Sequence, residues 1–119
     1  MNIDSAAMLR AASAASDLLK ALASPNRLML LCQLINGERS VGDLASSLDL
    51  RPSTVSQHLA LLRKDGLVAT RRDGQTIYYS IASESAGAVM ETLYRIYCEP
   101  LHRSAAARKP AARNGRRTL

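Results

Sequence analysis

Apolar residues recur at helical spacing through residues 53–65, in the middle of the chain. At about 100° per residue, Val55, Leu59 and Leu62 fall on one stripe, while small and amide side chains occupy the opposite side. The pattern predicts an amphipathic helix that buries one side against a core. Its other side is free to meet either water or a binding partner.

The polar side of this helix carries groups that suit the edges of DNA bases. Ser56 and Gln57 can each donate and accept hydrogen bonds, and Ala60 lets the helix approach a groove closely. A solvated helix without a partner shows the same pattern, so the flanking segments decide between the two interpretations. The candidate DNA contacts in this region, including basic residues that can reach phosphates, are Arg51, Ser53, Thr54, Ser56, Gln57, His58, Arg63 and Lys64.

The segment before this helix favours DNA binding. Residues 41–48 form a short amphipathic pattern that begins after Ser40, a favoured N-cap residue. Residues 49–51 then form a turn, and Pro52 suits the first position of the longer helix. This spacing is typical of a helix-turn-helix.

The segment after the helix predicts a β-hairpin. Residues 67–72 and 75–81 are rich in strand-forming side chains, and Asp73-Gly74 between them favours a two-residue type I′ turn. The second run alternates apolar and polar positions, so one face of the hairpin can pack on the helices. Arg71 and Arg72 lie beside the tip, where a wing would touch the sugar-phosphate backbone or a minor groove.

Three further helices complete the predicted fold. An Ala-rich helix covers roughly residues 4–23, and Ser24-Pro25 opens a second helix that is apolar almost all round and should be central. A last helix runs from about residue 83 to 99 and is expected to stop at Pro100. Residues 1–99 are therefore expected to form one mainly α domain with a small β-hairpin, a winged helix-turn-helix in the order ααααββα.

The last helix has two adjacent apolar stripes, one through Val89 and Leu93 and one through Met90 and Cys98. One packed side needs only one stripe. We therefore expect a homodimer that pairs through the first and last helices and meets an inverted repeat in DNA. The alternative is one broad face that packs within the monomer.

Composition and charge refine this interpretation. The 119 residues contain no Phe or Trp, so the core must be aliphatic. Residues 1–99 are net neutral, and the net charge of +6 belongs to residues 100–119, a basic tail expected to be disordered. The tail adds either sequence-independent attraction to DNA or only solubility. Within the body, residues 51–72 hold five basic side chains against Asp65 alone, as expected of a phosphate-facing surface.

Several classes of function lack support in the sequence. No secretory signal is visible, and the longest apolar run, residues 28–32, is too short to cross a membrane. The expected location is the cytoplasm, where two cysteines are normally reduced thiols. No nucleophile, base and acid stand at the spacing of a known catalytic site, and there is no glycine-rich phosphate loop. The sequence therefore predicts neither an enzyme nor a membrane protein.

Three segments together resemble the ArsR/SmtB family of bacterial winged-helix repressors. They are LASPNRL at residues 22–28, VSQHL at residues 55–59 with the following Leu-Arg and Gly-Leu-Val, and RRDGQTIYY at residues 71–79. The resemblance covers about residues 15–99. It implies a homodimer that occupies operator DNA and releases it when an inducer is sensed. It also implies that Ser56 and Gln57 read bases, while His58 packs or hydrogen-bonds locally.

The sequence departs from the metal-sensing members of this family. Those branches place cysteines at the start of the first helix of the helix-turn-helix, or carboxylates and histidines along the last helix. Here residues 41–43 are Val, Gly and Asp, residues 83–99 contain no His, and His58 and His102 are the two histidines of the chain. Because a divalent-metal site needs about four converging ligands, we expect no metal and no cofactor, and a metal-responsive repressor is the weaker alternative.

Two cysteines match a different branch, the persulfide-responsive and redox-sensitive repressors of the SqrR, BigR and HlyU kind. Cys32 ends the run LMLLC on the second helix, and Cys98 ends the run YRIYC on the last helix. The resemblance implies that reactive sulfur species join the two thiols by a polysulfide bridge within one subunit, which releases DNA. From the residues alone, Cys32 reads as a packed core residue, because free cysteine behaves as a small hydrophobe.

Cys98 lies in the last turn of its helix, where the helix dipole opposes a thiolate but Arg95 and His102 can offset it. The working hypothesis is that Cys98 reacts first and that Cys32 then resolves the modified Cys98.

A constitutive repressor with inert cysteines and a winged-helix protein-interaction module that binds no DNA remain alternatives. The operator, the regulated genes, the inducer, the role of the tail and the length of any sulfur bridge stay open.

Overall fold

The computed structural model describes residues 4–101 as helices arranged around one aliphatic core, with a small antiparallel sheet at one edge. This confirms the predicted mainly α winged helix-turn-helix. The expectations for the basic tail concern residues 100–119, of which residues 102–119 lie outside the described residues. In chain order the elements are α1 (Ser5–Leu22), α2 (Pro25–Leu34), β1 (Arg39–Ser40), α3 (Val41–Leu48), α4 (Pro52–Lys64), β2 (Val68–Asp73), β3 (Thr76–Ile81) and α5 (Glu84–Leu93), which continues as a π-helical segment (Tyr94–Cys98).

Side-chain caps explain where four of the helices begin. Asp4 accepts a hydrogen bond from the Ala7 N–H at 2.7 Å, which satisfies one of the unpaired donors of the first turn of α1. Ser24, Ser40 and Ser83 cap α2, α3 and α5 in the same way. Helix α4 has no side-chain cap and begins with Pro52 in its place.

The core is built from aliphatic side chains contributed by α2, α3 and α4. Val55, Leu59 and Leu62, the stripe predicted for α4, are between 0% and 1% exposed. The largest fully buried side chains are Leu30, Leu31, Leu44, Leu59, Leu62 and Val55. Tyr79 and Ile81 of β3 and Val89 and Leu93 of α5 pack against this cluster while staying partly exposed. The core therefore holds the outer side of α4 toward solvent.

The sheet contains a strand that the sequence pattern did not predict. Its order is β1-β3-β2, and β1 has only two residues, Arg39 and Ser40, which pair with Tyr79 and Tyr78 of β3. Two residues carry no alternation, so no periodicity could reveal this strand. Because Ser40 also caps α3, β1 joins the sheet directly to the helix-turn-helix.

The hairpin turn lies one residue later than expected. Asp73 pairs with Thr76, so the two turn residues are Gly74 and Gln75 rather than Asp73 and Gly74. Gly74 has φ of 66°, and no positive φ occurs at Gln75. A type II′ turn needs a positive φ only at its first central residue, where glycine is favoured. The type I′ assignment was therefore wrong, because Gly74 takes the first turn position and Asp73 is the last residue of β2.

The last helix does not stop at Pro100, contrary to expectation. The chain stays helical through Leu101, and within Tyr94–Cys98 it widens to π-helical geometry. The Glu99 N–H donates to the Tyr94 carbonyl, five residues back. Proline has no N–H and crowds the carbonyl four residues before it. A wider turn immediately before Pro100 accommodates both restrictions, so the helix continues.

The two terminal helices expose apolar side chains. Ala21 and Leu22 are the buried residues of α1, whereas Leu9 is 68% exposed. On the last helix, Ile96 is 57% and Tyr97 68% exposed. Exposed apolar surface on a small domain can serve as an interaction site. The predicted stripe through Met90 is thus buried at Met90, which is 3% exposed, while the stripe through Val89 and Leu93 continues to the exposed Ile96.

Candidate DNA-binding surface and cysteine pair

The turn between α3 and α4 sets the angle between the two helices. Asp49 ends α3 in the left-handed conformation with φ of 56°, and its N–H reaches the carbonyls of Ala45 and Ser46. Asp is one of the few non-glycine residues that adopts this conformation readily. The Leu50 N–H also returns to the Ala45 carbonyl at 3.0 Å, which completes a tight reversal.

Helix α4 turns most of its candidate DNA contacts to solvent. The exposed members are Arg51, Ser53, Ser56, Gln57, Arg63 and Lys64. Ala60, on the same side, is also exposed and leaves the backbone approachable. The buried stripe of α4 orients this surface, because a rotation of the helix would expose leucines and bury hydroxyl and amide groups.

Thr54 and His58 are half-buried and stand at the border of that surface. The Nδ1 atom of His58 is buried and has no hydrogen-bond partner among residues 4–101. The Nδ1 atom of His58 therefore makes no local hydrogen bond within the described part of the chain.

The two wing arginines have different surroundings. Arg72 lies at the tip, where its Nη1 donates to the Gly74 carbonyl at 3.5 Å. Arg71 instead bonds the carboxylate of Glu38, which precedes β1, and stacks over the Tyr78 ring at 4.9 Å from its centroid. The hydrogen bond from Arg71 holds the pKa of the Glu38 carboxyl below its ordinary value. Sequence reasoning missed Glu38, since 33 positions separate it from Arg71.

Both cysteines line one groove between α2 and the last helix. They are free, half-buried thiols, although they come from opposite ends of the domain. The groove has a volume of about 540 Å³, and the remaining lining residues carry no charged side chain: Pro25, Leu28, Met29, Met90, Leu93, Tyr94, Tyr97 and Leu101. A reagent that reaches either sulfur thus passes over an apolar surface.

The two thiols are close enough to influence each other. Burial raises the pKa of the Cys32 thiol above its ordinary value, and the charge of Cys98 and a hydrogen bond with Cys98 raise it further. Each cause favours the protonated form of Cys32. Burial and the neighbouring Cys98, at the end of the π-helical segment, therefore favour the thiol form of Cys32.

No group of three or more His, Cys, Asp or Glu side chains able to hold a metal ion occurs within residues 4–101. In the same stretch, no helix is both long and apolar enough to span a membrane.

The geometry of α3, α4 and the hairpin defines the class of protein. A helix-turn-helix whose second helix exposes a polar face, followed by a β-hairpin wing, is the architecture of winged helix-turn-helix DNA-binding proteins. A family model described as bacterial regulatory protein, arsR family, matches residues 24–70. The chain belongs to this ArsR family of transcriptional regulators.

Curated relatives support the assignment over more of the chain. The chain is 51% identical over 82 residues to the transcriptional activator HlyU of Vibrio cholerae, covering 69% of this chain and 76% of that protein. It is 48% identical over 94 residues to the biofilm growth-associated repressor of Agrobacterium fabrum, covering 79% and 80% of the two proteins. The chain thus groups with the HlyU and BigR branch of the family.

Solved structures agree with the fold. Reduced HlyU from Vibrio cholerae superposes with a TM-score of 0.74 at 48% identity, covering 76% of this chain and 96% of that one. A homodimeric winged helix-turn-helix DNA-binding domain from Mycobacterium bovis gives a TM-score of 0.67 at 31% identity, covering 87% and 95%.

Proposed function

We propose that this chain is a dimeric operator-binding repressor whose DNA affinity is switched by reactive sulfur species that modify Cys32 and Cys98. The observation that carries the proposal is the meeting of the two thiols in one apolar groove, described above. The groove joins α2, which packs into the core beside α4, to the last helix, which carries exposed apolar residues.

The DNA-binding half of the proposal assigns roles by position on the outer surface of α4 and the wing. Ser56 and Gln57 read base edges, since both are exposed and can donate and accept hydrogen bonds. The residues that contact or border the backbone are Arg51, Ser53, Thr54, His58, Arg63, Lys64, Arg71 and Arg72. Contacts with the DNA backbone fix the position of α4 without selecting a DNA sequence.

Dimerisation is proposed to involve α1 and the last helix. Leu9, Ile96 and Tyr97 expose more than half of their surface, and a second copy would cover them. A relative of known structure is a homodimeric winged helix-turn-helix domain. A twofold pair presents two copies of α4 to DNA, so the expected operator is an inverted repeat with half-sites about one helical turn apart.

The proposed sulfur chemistry balances without an external oxidant beyond the persulfide itself. The Cys98 thiolate attacks the outer sulfur of a persulfide RSSH, which gives a Cys98 persulfide and releases the thiolate RS⁻. The Cys32 thiolate then attacks the inner sulfur of this persulfide, Cys98 Sγ, which forms the Cys32–Cys98 disulfide and releases the outer sulfur as hydrosulfide. The two cysteines lose two electrons, and the transferred sulfur leaves as sulfide.

A longer bridge is reached when both cysteines carry a persulfide before they couple. The outer sulfur of one persulfide then attacks the inner sulfur of the other, which gives a trisulfide and again releases hydrosulfide. Either bridge constrains the last helix against α2, and the last helix also carries the proposed dimer surface. The constraint would change the spacing of the two α4 helices, and DNA release follows because half-site spacing is geometric.

Purified protein and the DNA upstream of its own gene provide the test. Binding by fluorescence anisotropy is compared between reduced protein and protein treated with an alkyl persulfide, with a random duplex of equal length as the control for sequence preference. We expect the reduced protein to prefer its upstream DNA and treatment to weaken that binding. Reduced protein without preference for upstream DNA would exclude operator recognition.

Two variants separate the proposed response to persulfide from DNA binding. Cys32→Ser and Cys98→Ser should each bind upstream DNA when reduced and ignore persulfide, because neither can close a bridge. Peptide mass spectrometry of wild-type protein after a brief limiting dose should find the first added sulfur on Cys98. A first modification on Cys32 would reverse the order of attack.

One observation favours a second candidate, a constitutive repressor with inert cysteines. The raised pKa of Cys32 reduces its thiolate fraction, and thiolates rather than thiols are the nucleophiles. This candidate predicts that wild-type protein binds its operator equally well before and after persulfide treatment, with no bridged species by mass.

A further inference from the structure

The outer face of the sheet carries an ion pair that spans all three strands. Tyr79 packs against the core, so Tyr78, its neighbour on β3, points to the opposite face. Arg71 on β2 pairs with Tyr78 in the register and lays its guanidinium over that ring. It reaches Glu38, beyond β3, with Nε at 3.0 and 3.1 Å from the two carboxylate oxygens, while Nη2 also donates to Oε1.

This contact uses the same donors that arginine uses for phosphate. A guanidinium binds a planar carboxylate or a phosphate through two adjacent N–H groups, and such bidentate pairs are among the stronger hydrogen-bonded contacts. Glu38 already occupies one such edge of Arg71, formed by Nε and Nη2. A DNA phosphate that bound this edge would first have to displace the carboxylate.

The pair also changes the charge that the wing presents to DNA. The positive charge of Arg71 is offset by Glu38, and Asp73 adds a second negative charge near the same guanidinium. The attraction of the wing for phosphates is therefore smaller than its two arginines suggest. Sequence-independent affinity for DNA depends on the number of phosphates that a protein neutralises, because each one releases condensed counterions.

The position of the pair leaves it open to exchange. The side chains of Arg71 and Glu38 are 54% and 37% exposed, so an approaching phosphate can compete for the guanidinium. Exposed ion pairs of this kind contribute little to folding stability. The pair is thus better placed to adjust DNA binding than to hold the hairpin together.

We propose that Glu38 is an internal competitor with DNA phosphates for Arg71 and thereby limits the sequence-independent part of the DNA affinity. This inference rests on the proposed placement of the wing against DNA. A repressor that binds random DNA less tightly is distributed less over the many competing sites of a genome.

The test is the binding of Glu38→Gln to a random duplex over a range of salt concentrations. Gln keeps the size of the side chain and removes the charge. We expect the variant to bind random duplex about fivefold tighter than the wild type at low salt. The slope of log affinity against log salt concentration should become steeper by about 0.9 for each subunit. Glu91→Gln makes the same charge change on α5 and should leave the slope as in the wild type.

A double variant shows whether Glu38 acts through Arg71. In Glu38→Gln combined with Arg71→Ala, the salt slope should return to the wild-type value. If the wild-type protein binds DNA but Glu38→Gln binds random duplex no more tightly than the wild type, the role of Glu38 is overturned while the placement of the wing is not. A wild-type protein that bound no DNA would overturn the placement of the wing as well.

Discussion

Cys98 and Cys32 line the same groove between the last helix and α2, and the neighbouring Cys98 helps to raise the pKa of the Cys32 thiol. Leu30 and Leu31 precede Cys32 and are fully buried, whereas Tyr97 precedes Cys98 and is mostly exposed. The two sulfurs thus lie between the buried core and a surface open for a partner. A bond between them would transmit a chemical change to that surface.

The pKa of Cys32 provides a first prediction. Cys98→Ala removes a charge and a hydrogen bond that raise this pKa, so the pKa should fall but stay above the ordinary 9.0 because burial, the largest cause, remains. At mildly alkaline pH the variant then has more thiolate, and Cys32 should be alkylated faster than in the wild type. Mass spectrometry of iodoacetamide labelling against pH measures this. An equal or slower rate would contradict the coupling.

The exposed side of α4 provides a second prediction. Ser56→Ala and Gln57→Ala should each weaken operator binding by about 1–3 kcal/mol and leave binding to random duplex unchanged, because base contacts carry the sequence preference. Arg63→Ala should weaken both, since a phosphate contact is independent of sequence. Anisotropy titrations with the two duplexes at one salt concentration provide the comparison. Equal losses on both duplexes for Gln57→Ala would show that Gln57 reads no base.

Elements with strong local signals were predicted well from the sequence. The buried stripe of α4 and the capping serines depend on neighbours within one or two turns, and both were confirmed. The turn at Gly74 was misplaced by one residue because Asp73 suits both a turn and a strand end. The helix beyond Pro100 was missed because the effect of a proline depends on whether the preceding turn can widen.

Contacts between distant segments could not be predicted in this way. The pairing of Arg39 with Tyr79 and the bond between Glu38 and Arg71 join segments separated by the whole helix-turn-helix. Nothing in the local pattern of either segment indicates its partner. Both cysteines were identified through a resemblance, but their contact in one groove required the packing of the last helix on α2.

Core packing provides a third prediction, with a matched control on the same helix. Leu59 is fully buried, so Leu59→Ala should lower the free energy of unfolding by about 2–5 kcal/mol through lost burial and an unfilled cavity. Leu61 is 49% exposed, and Leu61→Ala should change stability by less than about 0.5 kcal/mol. Urea unfolding at a fixed protein concentration measures both. Similar losses in the two variants would contradict the assignment of the buried stripe.

The dimer surface provides a fourth prediction. Ile96→Glu places a charge on a side chain that is 57% exposed on the last helix, and burial of an unpaired charge opposes association. The variant should sediment as a monomer at concentrations where the wild type is a dimer. Ile77→Glu makes the same change on the wing, where the side chain is 36% exposed, and should leave the dimer intact. Retention of the dimer by Ile96→Glu would place the interface elsewhere.

Two glycines provide a final prediction, in which replacement by alanine changes stability in opposite directions. Gly74 has φ of 66°, and a Cβ there would meet no atom within 4 Å, so the cost of Gly74→Ala comes from the backbone alone. An L side chain in this region costs roughly 1–2 kcal/mol, so the variant should be less stable by about that amount. Gly42 lies in α3, where an added Cβ would meet the Ser40 Oγ at an ordinary 3.9 Å. Gly42→Ala should therefore stabilise the protein by about 0.5 kcal/mol, because alanine loses less conformational freedom on folding. Urea unfolding of the two variants beside the wild type should give shifts in opposite directions. Unchanged or higher stability of Gly74→Ala would show that the turn does not need glycine at position 74, and lower stability of Gly42→Ala would contradict the expected gain in α3.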